Sequence, residues 1–326
     1  MQWAPEVCVT PQLAAELVRE QFPGLDTRQV TVLETGWDNT ACQVDGQWLF
    51  RFPRREIAIA GVLREIAVLP RLAARLPLPI PVPEFVGQPS PRYPWPFWGA
   101  RLLPGRELAE SGLADADRSG AAVAVGHFLR ALHEPGLVAI VVGDDLPVDP
   151  MRRASAPYRA GRARESLDRL VSRGIWAADR DVELLLDRAE RAAEPVPAGD
   201  AGPAGDAGPA KAVVSGSRPF VVSHGDLHVR HLLVGADGAA TGVIDWGDLC
   251  LADPAVDLSI AYCEFAGQAR ADLLSAYGVA VDARRELAAR VLAISLAAML
   301  AEYSADEGRP VLLQESIAGL RRAVAA

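Results

Sequence analysis

Lysine is almost missing from this chain. Of its 33 basic residues one is lysine, Lys211, and the rest are arginine. Away from Lys211, a fixed cation has to be a guanidinium, which is a planar fork and not a point charge. Cysteine is scarce as well: Cys8, Cys42, Cys250 and Cys263 are scattered without a CxxC pair. That usage argues for reduced, buried thiols in a cytosolic protein rather than a disulfide framework. No run of 18 apolar residues occurs. The nearest, Val291–Tyr303, falls short of the roughly 18–20 residues that cross a bilayer and reads as a buried helix, so no membrane partner is expected. The opening MQWAPEVCVT has neither the basic nor the apolar region of a secretory signal. A cytoplasmic location follows as the expectation. Net charge is −9, and phosphate-backbone binding needs clustered positive charge, so no nucleic-acid partner is expected. An acidic chain better suits a cationic small ligand.

What is present is a change of period along the chain. Half of the 326 residues are hydrophobic, enough for one large core or two smaller ones. TPQLAAELVREQFP (10–23) has Thr10 as an N-cap, Pro11 at the first helical position and an apolar stripe at Leu13, Leu17 and Val18. Then Val, Thr, Trp and Phe dominate, and strands are predicted near 29–35, 40–45 and 47–52, with Asp45–Gly46 as a hairpin turn. Residues 56–76 return to helical spacing. Nine prolines in 77–105 exclude interior helix there and predict edge strand and connector, with PFWGARLL as a strand. Helices are predicted at 119–134, 162–174 and 179–194. The repeat AGDAGP between 197 and 210 has nothing large enough to anchor it, and 195–218 is expected to be a disordered loop. FVVSHGD then reads as a short buried strand entering a loop. HLLVGADGAATGVIDWGD reads as a hairpin, and a helix opens at Asp253–Pro254.

Three of the five histidines, His224, His228 and His231, lie within eight residues around Asp226. On a helix they would share one face and suit zinc. Gly225 and the approach through Val221–Val222 argue against helix there. Phosphoryl transfer offers another reading. It needs a carboxylate for the acceptor hydroxyl, metal ligands, a cation on the nucleotide phosphates and a strand edge for the base. Asp226 follows a buried strand, His231 comes five residues on, and Asp245 ends the next hairpin nineteen residues after Asp226. Protein kinases place an Asp and an Asn five apart in their catalytic loop and a further Asp downstream; here His stands in the Asn place.

TGWDNTACQVDGQWLFRFPRR, YPWPFWGARLLPG, LRALHE, HGDLHVRHLLV and GVIDWGDLCLADPAVDLSIAY together resemble the antibiotic kinases of the aminoglycoside phosphotransferase family, and most of all its macrolide phosphotransferase branch. The resemblance covers nearly the whole chain. It implies an α+β, two-lobed, protein-kinase-like fold: a β-rich nucleotide-binding lobe over 1–103 and a mostly helical catalytic and substrate-binding lobe over 104–326. It implies that Asp226 accepts or orients the proton of the drug hydroxyl. Asp245, with His231 in the family's Asn position, would hold Mg²⁺ on the phosphates of ATP or GTP, although hard cations prefer oxygen to imidazole. Asp257 would brace the catalytic loop through backbone N–H groups. The family's strand lysine is Arg51 here, with Glu65 as its helix partner and Glu56 as the runner-up. Gly36, Asn39 and Thr40 would approach the phosphates. The base would sit against the backbone C=O of Arg101 and N–H of Leu103.

An enzyme, a phosphotransferase with an alcohol acceptor, is therefore expected, acting as a monomer on a small-molecule antibiotic. The apolar helices after Asp257, with Glu264 and Glu302 as isolated acids, favour a macrolide over a polycationic aminoglycoside. A metabolic kinase of the same fold, a pseudokinase and a zinc enzyme remain open alternatives.

Overall fold

The computed structural model describes residues 5–36, 38–141, 146–192 and 220–325, so the expected loop over 195–218 lies outside the described residues. The chain forms two compact units. The first comprises Met1–Arg75, Pro79–Pro104 and Val243–Leu249; the second comprises Leu76–Leu78, Gly105–Gly242 and Cys250–Ala326. A boundary at 103/104 alone would have given Val243–Leu249 to the second unit. The structure groups that segment, Asp245 included, with the first.

In the first unit, α1 (Pro11–Gln21) starts where the sequence marks it: Thr10 accepts the Leu13 N–H at 3.2 Å, and Ala14, Leu17 and Val18 are buried. β1 (Val30–Thr35), β2 (Asn39–Val44) and β3 (Trp48–Pro53) form an antiparallel meander. Asp45 and Gly46 both take left-handed backbone, φ 54° and 70°, the pairing that lets a two-residue turn match the twist of its strands. After α2 (Ile59–Ala73), β4 (Phe85–Gly87) and β5 (Phe97–Arg101) complete a five-stranded sheet in the order β1-β2-β3-β5-β4. Phe50, Phe52, Tyr93 and Phe97 cluster with Leu17 and Val18 as the core of this unit. Gly99 makes the β3–β5 pairing possible, because a Cβ there would meet the Phe50 ring at 2.5 Å. The segment 243–249 is tied in by Val243 N–H, which donates to Pro79 C=O at 3.0 Å, and by the buried Trp246 indole.

In the second unit β7 (Val221–Ser223) pairs with β10 (Cys250–Ala252). β6 (Arg106–Glu107), β8 (Leu232–Val234) and β9 (Ala240–Val243) make a small separate sheet. The predicted hairpin is thus β8 and β9 around Gly238, at φ 78°, and its second strand stops at Val243, short of Asp245. The helices are α3 (Ser119–Leu132), α4 (Pro135–Val141), α5 (Ala156–Ser172), α6 (Arg180–Glu190), α7 (Ala255–Cys263), α8 (Gly267–Tyr277), α9 (Ala283–Asp306) and α10 (Pro310–Val324). Asp179 and Asp282 cap α6 and α9 by accepting N–H groups of their first turns. α9 is long and apolar enough to cross a membrane by length and composition, and 78% of its apolar window is buried in the unit, as a core helix requires. α7 is buried along its whole length, which places Asp257 in the interior.

Candidate active site

The loop after β7, which carries Asp226, is built on backbone bonds to one buried carboxylate. β7 ends at Ser223, and Gly225 turns the chain at φ 86°. His224 N–H donates to Asp257 Oδ2 at 3.0 Å, and Gly225 N–H donates to Asp257 Oδ1 at 3.1 Å. These are the bracing bonds expected of Asp257. His133 on the far side adds a contact of 3.1 Å to Oδ2, and its other ring nitrogen meets the Tyr277 hydroxyl at 3.0 Å. Burial pushes the Asp257 carboxyl up, but the His133 bond, the His133 and His224 imidazoles beside it, and the Gly225 bond outweigh it. The net shift is downward, and Asp257 stays ionised.

Asp226 follows, with its side chain 18% exposed. Arg153 Nη2 donates to Asp226 Oδ1 at 3.0 Å, and His228 Nε2 lies 3.6 Å from Oδ2. Burial raises this carboxyl, but Arg153 first, then His228 and His231, hold it well below the usual carboxylate range. Asp226 is therefore held as an anion and is a weak base in the ground state.

Hydrogen bonding assigns the imidazole protons. A backbone N–H can only donate, so His228 Nδ1, which receives Arg230 N–H at 3.3 Å, carries no proton. Its Nε2 keeps the proton and faces Asp226. His224 is in the same state, because its Nδ1 receives Asp226 N–H at 3.3 Å. His231 is reversed: Nδ1 lies 2.7 Å from the Asp226 C=O, which can only accept, so Nδ1 carries a proton. Among the described residues, Asp226, His228 and His231 form a group whose ligand atoms lie within 4.8 Å of one another. With these bonds intact His228 offers a metal no imidazole lone pair, and a three-ligand zinc site would have to break the Arg230 N–H bond. The histidine cluster is mainly scaffold.

Arg51, midway along β3, is the predicted cation of the first unit. Its Nη2 lies 2.7 Å from Asp245 Oδ1, and its Nε lies 3.5 Å from Glu65 Oε2. Of the two glutamates considered, Glu65 is the one beside it. Glu65 is 1% exposed and also accepts from the Trp98 indole at 3.0 Å. Burial raises the Glu65 carboxyl to about 7 against the pull of Arg51. Arg51 Nε and Glu65 Oε1 are buried without a hydrogen bond, as is Asn39 Oδ1. Asp245 itself has left-handed backbone, φ 62°. Gly247 lets Arg51 close in, since a Cβ there would stand 3.0 Å from Nη2. Gly36 N–H closes a turn on Asn39 C=O at 2.9 Å, and Thr40 is buried at the start of β2. Arg101 ends β5 with its guanidinium over the Trp48 ring, and Leu103 follows in the same unit.

The two acids expected to meet a cationic ligand sit elsewhere. Glu264 is 1% exposed, not on an open wall; its Oε1 accepts the Val229 N–H of the loop after β7 at 3.2 Å. Burial, with Glu315 nearby, raises its carboxyl to about 7. Glu302 is held in a two-pronged pair by Arg169, at 2.5 and 3.0 Å. Arg230 pairs with Glu107 through two contacts of 3.3 Å. The sequence reading missed Arg153, which lies 73 residues from Asp226 in no motif, and Trp98, whose only signal was an aromatic in a strand.

The fold that carries these residues is shared with solved phosphotransferases. The wild-type aminoglycoside 2'-phosphotransferase-IIIa in its GDP complex is 19% identical, with a TM-score of 0.62 over 97% of this chain and 99% of that one. Macrolide 2'-phosphotransferase type I is 24% identical, with a TM-score of 0.54 over 98% and 99%. The apoenzyme of macrolide 2'-phosphotransferase MphH from Brachybacterium faecium is 20% identical, with a TM-score of 0.56 over 95% and 97%. A 54-residue stretch is 41% identical to the uncharacterized protein YcbJ of Bacillus subtilis (strain 168), covering 17% of this chain and 18% of that protein. The fold is thus kinase-like. The model of the phosphotransferase enzyme family matches residues 29–290, and the chain belongs to that family.

Proposed function

We propose that this phosphotransferase moves the γ-phosphate of ATP or GTP, as its Mg²⁺ complex, to a hydroxyl of an antibiotic of the macrolide kind, acting as a cytoplasmic monomer. The observation that carries the reading is the Asp226 carboxylate, kept anionic at the end of a strand and aimed by a loop fixed on Asp257. An acceptor hydroxyl needs that orientation before it can attack. On the donor side, Arg51 brings positive charge to the phosphates and Glu65 steadies it. The unpaired Asn39 Oδ1, beside the Gly36 turn, marks a loop suited to a polar ligand. For Mg²⁺, the Asp245 carboxylate of the first unit would supply the hard oxygen such an ion prefers. When bound, the ion neutralises charge on the phosphates. The backbone groups of Arg101 and Leu103 would read the base. Neighbours of the same fold have been captured with GDP and with ATP, so both donors belong in the test. The macrolide preference rests on the acids of the second unit, since Glu264 and Glu302 are both engaged within the protein, whereas a polycation needs several acids facing it.

The test is a transfer screen of erythromycin-like, kanamycin-like and simple alcohol acceptors with each nucleotide. Asp226→Asn should keep the fold and lose at least about a hundredfold in kcat. Equal activity of wild type and variant would remove Asp226 from its role. Unchanged drug susceptibility of a host expressing the chain would remove the antibiotic.

A further inference from the structure

Arg153 is held on the acceptor carboxylate by more than its own ion pair. Asp149 accepts the Arg153 N–H at 2.6 Å and the Ala154 N–H at 2.8 Å. Asp149 N–H donates to Leu251 C=O at 2.8 Å, and Leu251 N–H donates to Pro147 C=O at 2.9 Å. Leu251 belongs to β10, the partner of β7, whose end carries the catalytic loop. Asp149 and Arg152 both adopt left-handed backbone, φ 33° and 52°. The segment bearing Arg153 and the loop bearing Asp226 are thus fastened to one two-stranded ribbon. The Arg153 side chain is 10% exposed, so its guanidinium is a fixed, partly dehydrated charge.

Other acids of the second unit are matched with arginine in the same way: Glu107 with Arg230 and Arg309, and Glu302 with Arg169. Resting on the phosphotransferase reading, we propose that Arg153 is a specificity-determining residue that sets the acceptor side against polycations and leaves it open to acceptors with at most one amine. An ammonium brought to about 6 Å from a guanidinium at an effective dielectric near 20 is disfavoured by about a hundredfold, and water around the amine reduces this to about tenfold. Each further ammonium on the acceptor adds to the discrimination. An acceptor that presents a hydroxyl on an apolar body incurs none of it. Two fixed charges of opposite sign at one site also separate orientation from attraction: Asp226 can align a hydroxyl without gathering every cation.

The experiment measures binding and transfer separately on the full chain. Dissociation constants of erythromycin and kanamycin, by titration calorimetry, are compared for wild type, Arg153→Met, Arg153→Gln and Arg153→Lys. Wild type should bind erythromycin the more tightly. In the Met and Gln variants the kanamycin-to-erythromycin affinity ratio should rise about tenfold, and in Lys, which keeps the charge, it should stay within about threefold of wild type. A structural role alone would weaken both ligands together and leave the ratio unmoved. A ratio unmoved in both Met and Gln, or a wild type that prefers kanamycin, overturns the proposal. Phosphate transfer run alongside keeps the two readings apart: a moved ratio without transfer to any acceptor refutes the phosphotransfer reading only, and transfer with an unmoved ratio refutes only the role of Arg153.

Discussion

Replacing Arg51 by Met should make the protein lose stability in a way that depends on pH, and the size follows from its two partners. Met keeps most of the apolar stem and removes the charge. The contact with Asp245 at 2.7 Å is a charge-assisted bond, and losing it costs about 1–2 kcal/mol at any pH where Asp245 is ionised. Glu65 adds the pH-dependent part. Its folded carboxyl titrates at about 7, above the model-peptide value of 4.5, so the folded chain holds a proton the unfolded chain has released. Stability from this group is complete below pH 4.5 and falls as pH rises toward 7. Without Arg51 the folded value rises further, and the fall continues past 7. Each further unit of that rise adds about 1.4 kcal/mol of loss. Arg51→Met should therefore cost about 1–2 kcal/mol at pH 5 and about 2–4 kcal/mol at pH 8. Adding Glu65→Gln should abolish the difference between the two pH values. Urea unfolding of wild type, single and double variants at both pH values is the assay. A cost equal at pH 5 and pH 8, or larger at pH 5, would refute the linkage between Arg51 and Glu65.

Asp257→Asn should cost about 2–3 kcal/mol, since an amide replaces one of two oxygens that receive backbone N–H groups and leaves a donor facing a donor. Because the Asp257 carboxyl is lowered in the fold, its stabilisation is lost as pH falls, so the gap to wild type should narrow in acid, as urea midpoints at pH 7 and pH 3.5 would show. Gly126→Ala should cost about 2 kcal/mol or more by thermal unfolding, because the added Cβ would stand 2.4 Å from Leu273 C=O and 2.7 Å from Ala276 Cβ, where α3 and α8 pack.

The sequence was most legible where a local rule and the tertiary fold agree. Thr10, Asp45–Gly46, Asp179 and Gly225 each state a backbone requirement that nothing distant overrides. The turn after β7 was legible from Gly225 and the strand leading into it, whereas Arg51 and its partner Glu65 were singled out only by the family resemblance. The rest depends on contacts across long separations. Nothing near Arg153 announces Asp226, because the pair forms only when β10 closes on β7. The boundary after Leu103 was set by proline, yet residues 243–249 return to the first unit because Trp246 and Val243 find their partners there. Glu264 read as an isolated acid on an apolar helix. An apolar surround predicts burial as readily as a ligand wall, and the Val229 N–H decided between them.

The hydrogen bonds of His224 and His228 have a consequence for how such loops change over evolutionary time. Each ring nitrogen Nδ1 receives the N–H of the residue two places on, Asp226 and Arg230. That is the bond a short side-chain acceptor makes in an Asx turn, so Asn or Asp can supply the same geometry at either position. Lysine or arginine cannot, having no acceptor to offer. What is under constraint at positions 224 and 228 is a lone pair at a fixed offset, and the imidazole is one of several ways to carry it. Relatives of this chain recognised by histidine alone would be undercounted, and those recognised by that acceptor pattern would not.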